Sequence, residues 1–550
     1  MATKGSRKEI VSGHSQHDFE IMGRAAKTQG DFGSDVGVAD MACVDQFGGN
    51  KSKYYHASVV KSSQTGAWFV YLEWGRIFAG KSWDGRFNGQ DFQFVHCDGE
   101  SDARTFFAKQ ANSKNTKRLE EKVIGGATVW AGRRGKDGYI VQDLATRERG
   151  LPDAYKIKDA NGVKPAAKPV AKKKAPKKAA KAPTRSFQPQ VVSLAQDLVG
   201  GVRRYTKALS AASGVAPTMQ AIEQVRNVLI PAAMNRIKTV GNDIASQCRD
   251  NGLIDITKMV AALVPRPISR KGQSAEEAIL SANSLLSLQA DLDAFESSLK
   301  NESFDVDTSA PSVDPNAMLN ADLRWIDPNS AEGKWLWSTF SRMSGNRHSY
   351  LGNKPPKVKN LFAISRPDRD AGFDAAVSRV AATRRGQVGM KANFQFPRED
   401  LQGKADLYNK ANVIVGIHGT RPVNIAPIMG TNLRLPRSLP GAQITGANFG
   451  HGIYMATDWR KSYGYTGRGY WGHSGGDVGN RGCFMFLCDM IMGDAYRAPR
   501  TGSWSTPPQN KDSVFGVGGD RGHALQNDEH VIFDPNYQRL SYLVEFDWLN

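Results

Sequence analysis

The spacing of apolar residues changes period twice along this chain. Tyr54–Val60 and Ala67–Trp74 are rich in aromatic and β-branched residues, and Gln64-Thr65-Gly66 supplies a turn between them, so two paired strands are predicted. Phe92–Val95, Val129-Trp130 and Tyr139-Ile140-Val141 predict shorter strands, and Ser101–Ala111 a helix with Ala103, Phe106 and Phe107 on one side. This segment reads as a small α+β domain over residues 51–150. Residues 1–50 are polar, glycine-containing and weakly periodic, and predict a mobile tail. From Val191 the period becomes helical. Val191, Ala195, Leu198, Val199 and Val202 share one face, and Ile222, Val225 and Leu229 repeat the spacing until Pro231 kinks or ends the element. Ser274-Ala275-Glu276-Glu277 is a capping-box signal ahead of Leu285, Leu288, Leu292, Phe295 and Leu299. Residues 188–305 therefore predict an all-α domain, and the Asp, Ser and Pro of Asp305–Pro315 a boundary. Beyond it, over 316–550, Asn412–His418, Cys483–Ile491, Val531–Phe533 and Leu540–Phe546 read as strands, three of them near the C-terminus without intervening helices. That order favours an α+β domain with mainly antiparallel sheets over a doubly wound parallel one.

Composition sharpens the picture in three ways. The 550 residues suffice for several domains, and a formal charge of +19 favours an acidic polymer as partner. A run of Lys, Ala and Pro without acids, 164–185 within the linker 151–187, predicts an extended arm. Its Lys172, Lys173, Lys174, Lys177 and Lys178 would bind any polyanion. Five scattered cysteines form no CxxC pair and no metal-ligand spacing, which favours a reducing compartment. No apolar run reaches membrane-spanning length and the N-terminus lacks a signal-peptide core, so a soluble intracellular protein is expected.

Two nucleotide-binding patterns occur. Gly75-Arg76-Ile77-Phe78-Ala79-Gly80-Lys81-Ser82 fits the P-loop pattern, and Phe484–Asp489 could pass for a distant Walker B strand. A P-loop needs a helix opening at its Lys-Ser, and Trp83-Asp84-Gly85-Arg86-Phe87-Asn88-Gly89 is a poor helix start. Gly467-Arg468-Gly469-Tyr470-Trp471-Gly472 fits the dinucleotide fingerprint but has neither the preceding strand nor the following helical period, so it reads as a loop.

Three C-terminal segments carry more chemistry. They are Ile417-His418-Gly419-Thr420, then Gly452-Ile453-Tyr454 with Lys461-Ser462-Tyr463-Gly464-Tyr465, then Asp528-Glu529-His530-Val531. Together they offer an imidazole beside a glycine, an aromatic wall with a small hydroxyl, and a carboxylate opening an apolar strand. Such a set can hold a flat amide ring, grip a ribose and stabilise positive charge on a sugar. These are the requirements for breaking the glycosidic bond of NAD+.

The same segments resemble the catalytic domain of the poly(ADP-ribose) polymerase family. The order of the whole chain resembles its DNA-dependent members: a WGR domain (Trp74-Gly75-Arg76), a helical regulatory domain, then the ADP-ribosyltransferase domain. The resemblance implies that Glu529 is the catalytic glutamate and that His418 hydrogen-bonds the adenine-side ribose of NAD+. It implies that the Gly419 backbone and the Ser462 hydroxyl clamp the nicotinamide amide, that Tyr465 stacks on the ring, and that Tyr454 forms the opposite wall. Asn424 and Arg434 match positions near the adenosine end. NAD+ is the implied substrate, no metal is required, and poly- rather than mono-ADP-ribosylation is expected, with the protein itself among the acceptors. Trp74, Arg76 and Tyr139 are implied to meet a DNA end or break, which the helices relay to the catalytic domain. A role in the DNA damage response is expected, in a nucleus if the source is eukaryotic and otherwise in the cytoplasm or at the nucleoid. Thr420 stands where serine is common, and Tyr463-Gly464 replaces smaller or amide-bearing residues, so an altered pocket rim is expected. The competing readings are a DNA-end scaffold with an inactive or mono-ADP-ribosylating transferase fold, and a P-loop ATPase using Gly75–Ser82.

Overall fold

A computed structural model describes residues 19–45, 47, 51–76, 91–133, 138–142, 187–209, 217–264, 274–301, 314–343, 356–383, 404–435, 448–467, 481–519, 525 and 527–548. Lys172, Lys173, Lys174, Lys177 and Lys178, the P-loop match beyond Arg76 and the fingerprint beyond Gly467 lie outside the described residues. The chain divides into two compact units, Met1–Thr184 with Thr206–Leu285, and Arg185–Tyr205 with Leu286–Asn550.

In the first unit, strands β1 (Phe19–Ile21), β2 (Arg24–Ala25), β3 (Val36–Asp45), β4 (Lys51–Ser62), β5 (Trp68–Arg76) and β6 (Asp91–Cys97) form a sheet of order β2-β3-β4-β5-β6. β1 adds to β4, and β9 (Ile140–Val141) adds to β3. Helix α1 (Glu100–Lys114) buries Ala103, Phe107 and Ala111 in the same core as Met41, Tyr55, Ala57 and Val59. Strands β7 (Leu119–Ile124) and β8 (Ala127–Gly132) form a hairpin. The mobile tail expected over 1–50 is corrected for residues 19–45, where β3 pairs with β4 along most of its length; the first 18 residues lie outside the described ones. The β3 signal was weak because Gly37, Asp40 and Asp45 interrupt its apolar residues. Across that pairing His56 Nδ1 lies 2.8 Å from Asp40 Oδ1.

Among the described residues, eight helical segments follow: α2 (Pro189–Leu209), α3 (Met219–Gln224), a π-turn (Val225–Leu229), α4 (Ile230–Val240), α5 (Ile244–Gln247), α6 (Asn251–Leu263), α7 (Ala275–Ala278) and α8 (Ala282–Lys300). Pro231 does not end its element: the π-turn lies directly before it, and wider hydrogen-bond spacing absorbs the ring and the missing donor. The Ser274–Glu277 capping box is present but caps only α7. The helices expected as one all-α domain over 188–305 instead divide between the two units. In the first unit, Gln142 Nε2 donates to Ala262 O on α6 at 2.7 Å, and Lys122 on β7 lies 3.5 Å from Asp255. In the second, the α2 stripe Val191, Leu194, Ala195, Leu198, Val199 and Val202 packs with Phe362, Phe373 and Val377.

The second unit continues with α9 (Pro315–Leu319), β10 (Asp322–Ile326), α10 (Ala331–Arg342), β11 (Val358–Ser365), α11 (Pro367–Thr383), α12 (Ala405–Lys410), β12 (Val413–Gly419) and α13 (Ile425–Thr431). It ends with β13 (Ile453–Met455), α14 (Trp459–Tyr463), β14 (Cys483–Ile491), β15 (Ala495–Ala498), β16 (Ser513–Gly516), β17 (Glu529–Ile532) and β18 (Gln538–Phe546). One sheet has the order β10-β11-β18-β14-β12 and is antiparallel throughout; the other is β13-β17-β16-β15, with only β15 and β16 parallel. β14 is apolar on both faces, broken only by Asp489, because both its faces are covered. Phe484, Phe486, Cys488 and Met490 meet the core of α2, α11 and α13, while Cys483, Met485 and Leu487 meet that of α10 and α14. Asp489, the acidic residue of the Walker B-like string, is bound inside this core by Arg539 Nη2 at 2.6 Å. It is held in a buried ion pair and does not face a nucleotide.

Candidate active site

β12 ends its sheet, so only one of its edges is paired along its length, with β14. On the other edge Ile417 exchanges hydrogen bonds with Ala456, at 2.7 and 3.1 Å. Peptide groups alternate sides along a strand, so Gly419, two residues on, turns its N–H and C=O to the same side as Ile417. Among the described residues no strand residue pairs with Gly419 there. A Cβ at Gly419 would lie 1.9 Å from Ser462 O, so only glycine lets α14 cross the strand this closely. The Ser462 hydroxyl donates to Ile417 O at 3.0 Å. Its proton is therefore already placed; toward a bound amide it accepts, or rotates to donate.

His418 precedes that glycine on the opposite side of the strand alternation. Its Nδ1 donates to the Tyr454 carbonyl at 3.3 Å, which leaves Nε2 as an acceptor. Burial holds the imidazole pKa below its usual value, so the ring is neutral. Tyr454 lies on β13, opposite Val531 of β17. Its hydroxyl donates to Gly450 O at 2.8 Å and accepts from Phe449 N–H at 2.9 Å. Burial raises its pKa, with smaller contributions from Glu529 and Tyr465 nearby. The hydroxyl is thus committed to the loop before β13, and what Tyr454 has to offer a substrate is its ring.

Glu529 opens β17 and is 6% exposed. Its Oε1 accepts from Lys461 Nζ at 2.8 Å, and the same ammonium donates to Asp528 O at 3.0 Å. Its Oε2 is buried without a hydrogen-bond partner. An unpartnered buried carboxylate oxygen is costly, and a hydroxyl is the group that would satisfy it. Lys461 and Ser462 are consecutive on α14, so one short helix touches both the Gly419 strand and the carboxylate. The next residue, His530, is 1% exposed, and burial, helped by the charge of Lys461, pushes its pKa down to about 3.

The remaining sequence candidates divide. Asn424 Nδ2 donates to Thr420 Oγ1 at 3.0 Å while its buried Oδ1 has no partner, so Thr420 holds Asn424 through the hydroxyl that serine would also supply. Tyr465 is 36% exposed, and its N–H donates to Ser462 O at 3.1 Å, placing an accessible ring just past the glycine crossing. Arg434 is not joined to this cluster by any described contact; it pairs with Asp293 at 3.0 Å and Glu296 at 3.7 Å on α8. Tyr463 corrects the expected change to the rim. It is buried against Phe546 and Trp548, in the core beneath α14. Lys461 was not anticipated, because a lysine in a polar string reads as solvated until β17 is laid beside α14.

In the first unit, Trp74 is half-buried and stacks on Tyr55 at 6.4 Å, and Tyr139 meets Tyr55 edge-on at 6.1 Å. Lys114 Nζ lies 5.1 Å from the centre of the Tyr55 ring. Burial lowers its pKa, helped by the charges of Arg118 and Lys53. The Arg76 backbone pairs with Lys53; its side chain lies outside the described residues. Among the described residues no group of acidic, histidine or cysteine side chains is arranged to hold a metal.

Residues 330–522 match the poly(ADP-ribose) polymerase catalytic domain; Glu529 lies beyond the matched span. The domain is that of an NAD+ ADP-ribosyltransferase. The chain is also 33% identical over 129 residues to poly [ADP-ribose] polymerase 1 of Oryza sativa subsp. japonica. That match covers 23% of this chain and 12% of the length of the relative.

Proposed function

We propose that this protein is a DNA-activated ADP-ribosyltransferase that builds poly(ADP-ribose) on protein acceptors, itself included. The single observation that carries the catalytic part is the buried, unpartnered Oε2 of Glu529 in the cluster of Tyr454, Lys461 and Ser462. In this reading the nicotinamide amide lies on the outward peptide of Gly419 with Ser462 beside it, and its ring lies between Tyr465 and Tyr454. His418 Nε2 takes the adenine-side ribose, and Asn424 and Arg434 lie toward the adenosine. Nicotinamide leaves with the glycosidic electron pair, and positive charge develops at the ribose C1′. Glu529 holds a ribose hydroxyl through Oε2, and its negative charge favours that transition state. An acceptor nucleophile then bonds to C1′ and releases its proton. For elongation, Glu529 orients an incoming ribose hydroxyl in the same way.

DNA dependence is supported by the Trp74–Tyr55–Tyr139 cluster with Lys114 over it, and by the net charge of +19. The proposed setting is the DNA damage response, in a nucleus or at a nucleoid. The test is incubation of the full chain with labelled NAD+, with and without nicked DNA. The expected result is slow-migrating labelled protein that requires DNA and is lost in Glu529→Gln. DNA binding without labelling would replace the reading with a scaffold. Single-unit labelling that is unchanged in Glu529→Gln would remove the glutamate from the chemistry.

A further inference from the structure

We propose that Lys461 is a positioning residue for the glutamate: it anchors Oε1 so that Oε2 alone is presented to the ribose. The inference rests on the NAD+ reading above. The ammonium lies 2.8 Å from Oε1 and 3.0 Å from Asp528 O, so two of its three protons are placed at the entry to β17. Both side chains are nearly enclosed, at 14% exposure for Lys461 and 7% for Glu529. Asp528 does not compete for the cation with its own carboxylate, which accepts from Gly518 N–H at 2.7 Å.

A pair built only for stability would satisfy both carboxylate oxygens. Here one oxygen is held and the other is buried without a donor. That asymmetry fixes the rotation of the carboxylate about its last bond and leaves one acceptor for one hydroxyl. The neighbour of Lys461 is Ser462, whose backbone carbonyl presses on Gly419 and whose hydroxyl reaches Ile417 O. A single short helix therefore sets the distance between the amide clamp and the ribose acceptor. The pairing has a second consequence. The ammonium offsets part of the negative field at C1′, so positioning and charge oppose each other, and the sign of the effect on rate is diagnostic.

The experiment is a kinetic cycle on the full chain with nicked DNA and NAD+, comparing wild type, Lys461→Met, Lys461→Arg, Glu529→Gln and the Met/Gln double variant. Loss of the anchor lets the carboxylate drift by about 1 Å, for which kcat falls about 10²-fold while KM for NAD+ stays within about threefold. Lys461→Arg, which keeps a cation in reach, recovers about tenfold of that loss. In the Glu529→Gln background the methionine change adds less than about threefold, because it acts through the carboxylate. Should Lys461→Met fail to fold, Lys461→Gln takes its place under the same criteria. A kcat equal to or above wild type, losses that multiply in the double variant, or an arginine variant no better than methionine overturns the proposal. Absence of NAD+ turnover in the wild type would instead sink the enzyme reading beneath it.

Discussion

Substituting Gly419 by alanine tests the site at its tightest point. The new Cβ would lie 1.9 Å from Ser462 O, 2.6 Å from Ser462 C and 3.2 Å from Ser462 Cα. All three are backbone atoms, so no side chain can rotate away. Relief to a contact of about 3 Å requires β12 and α14 to separate by about 1 Å. That movement stretches the Ser462–Ile417 hydrogen bond from 3.0 Å and draws the proposed amide clamp from Glu529. Overpacking of this kind costs about 1–3 kcal/mol of stability. A displacement of about 1 Å costs about 10²-fold in turnover, equivalent to about 2.7 kcal/mol in the barrier. The assay is labelled-NAD+ turnover alongside thermal unfolding, with Gly430→Ala as the control. Nothing lies within 4 Å of a Cβ at Gly430 on α13, so the control keeps its activity and is neutral or slightly more stable. Wild-type kcat/KM and unfolding temperature in Gly419→Ala would refute the close crossing and the clamp built on it.

Tyrosines two positions apart should behave oppositely. Tyr463→Ala empties a buried aromatic site and lowers stability by about 3–5 kcal/mol, whereas Tyr465→Ala leaves the unfolding temperature nearly unchanged and raises KM for NAD+ about three- to tenfold. Lys114→Ala should lower the slope of log K against log salt for DNA by about 1, as measured by titration at several salt concentrations. Burial lowers the pKa of Lys461, against the opposing pull of Glu529, Asp528 and Asp458, and His530 shares the environment. Lys461 therefore loses its proton in the folded protein before the unfolded-chain value of about 10.4 is reached. Between those two values the unfolded chain binds more protons, so this group's contribution to stability rises with pH and is lost as pH falls through the folded value. Turnover should fall over the same alkaline window as the Oε1 anchor loses its charge, so a pH–rate profile flat up to about pH 10.4 in a protein that stays folded would contradict the burial-lowered pKa or the need for a charged anchor.

How much could be read beforehand differs between elements. β14 was legible because both its faces are buried and only Asp489 breaks its apolar run, and β18 because Leu540, Tyr542, Leu543, Val544 and Phe546 crowd its second half. β3 was not, because Gly37, Asp40 and Asp45 break its apolar pattern, and only the fold brings His56 of the next strand beside Asp40. The α2 stripe told which face is buried, but a stripe carries no record of what covers it, and the covering surface is the core around Phe362 and Phe373. His418, Gly419, Tyr454, Ser462 and Glu529 were chosen from local strings. Their linkage through Ile417, Tyr454 O and Lys461 required the coordinates.

The amino-acid order alone determined which chemical groups are available and the local period that makes each element, because side-chain type and backbone preference act over a few residues. It also carried the need for glycine at 419 as an unexplained small residue. The tertiary structure decided what each group faces. It placed the carbonyl of Ser462 over Gly419, gave one oxygen of Glu529 to Lys461, sent Tyr463 into the core and spent the hydroxyl of Tyr454 on a loop. Except for the Tyr454 hydroxyl, whose partners lie four and five residues back, these outcomes depend on contacts between segments tens of residues apart, which no local pattern encodes.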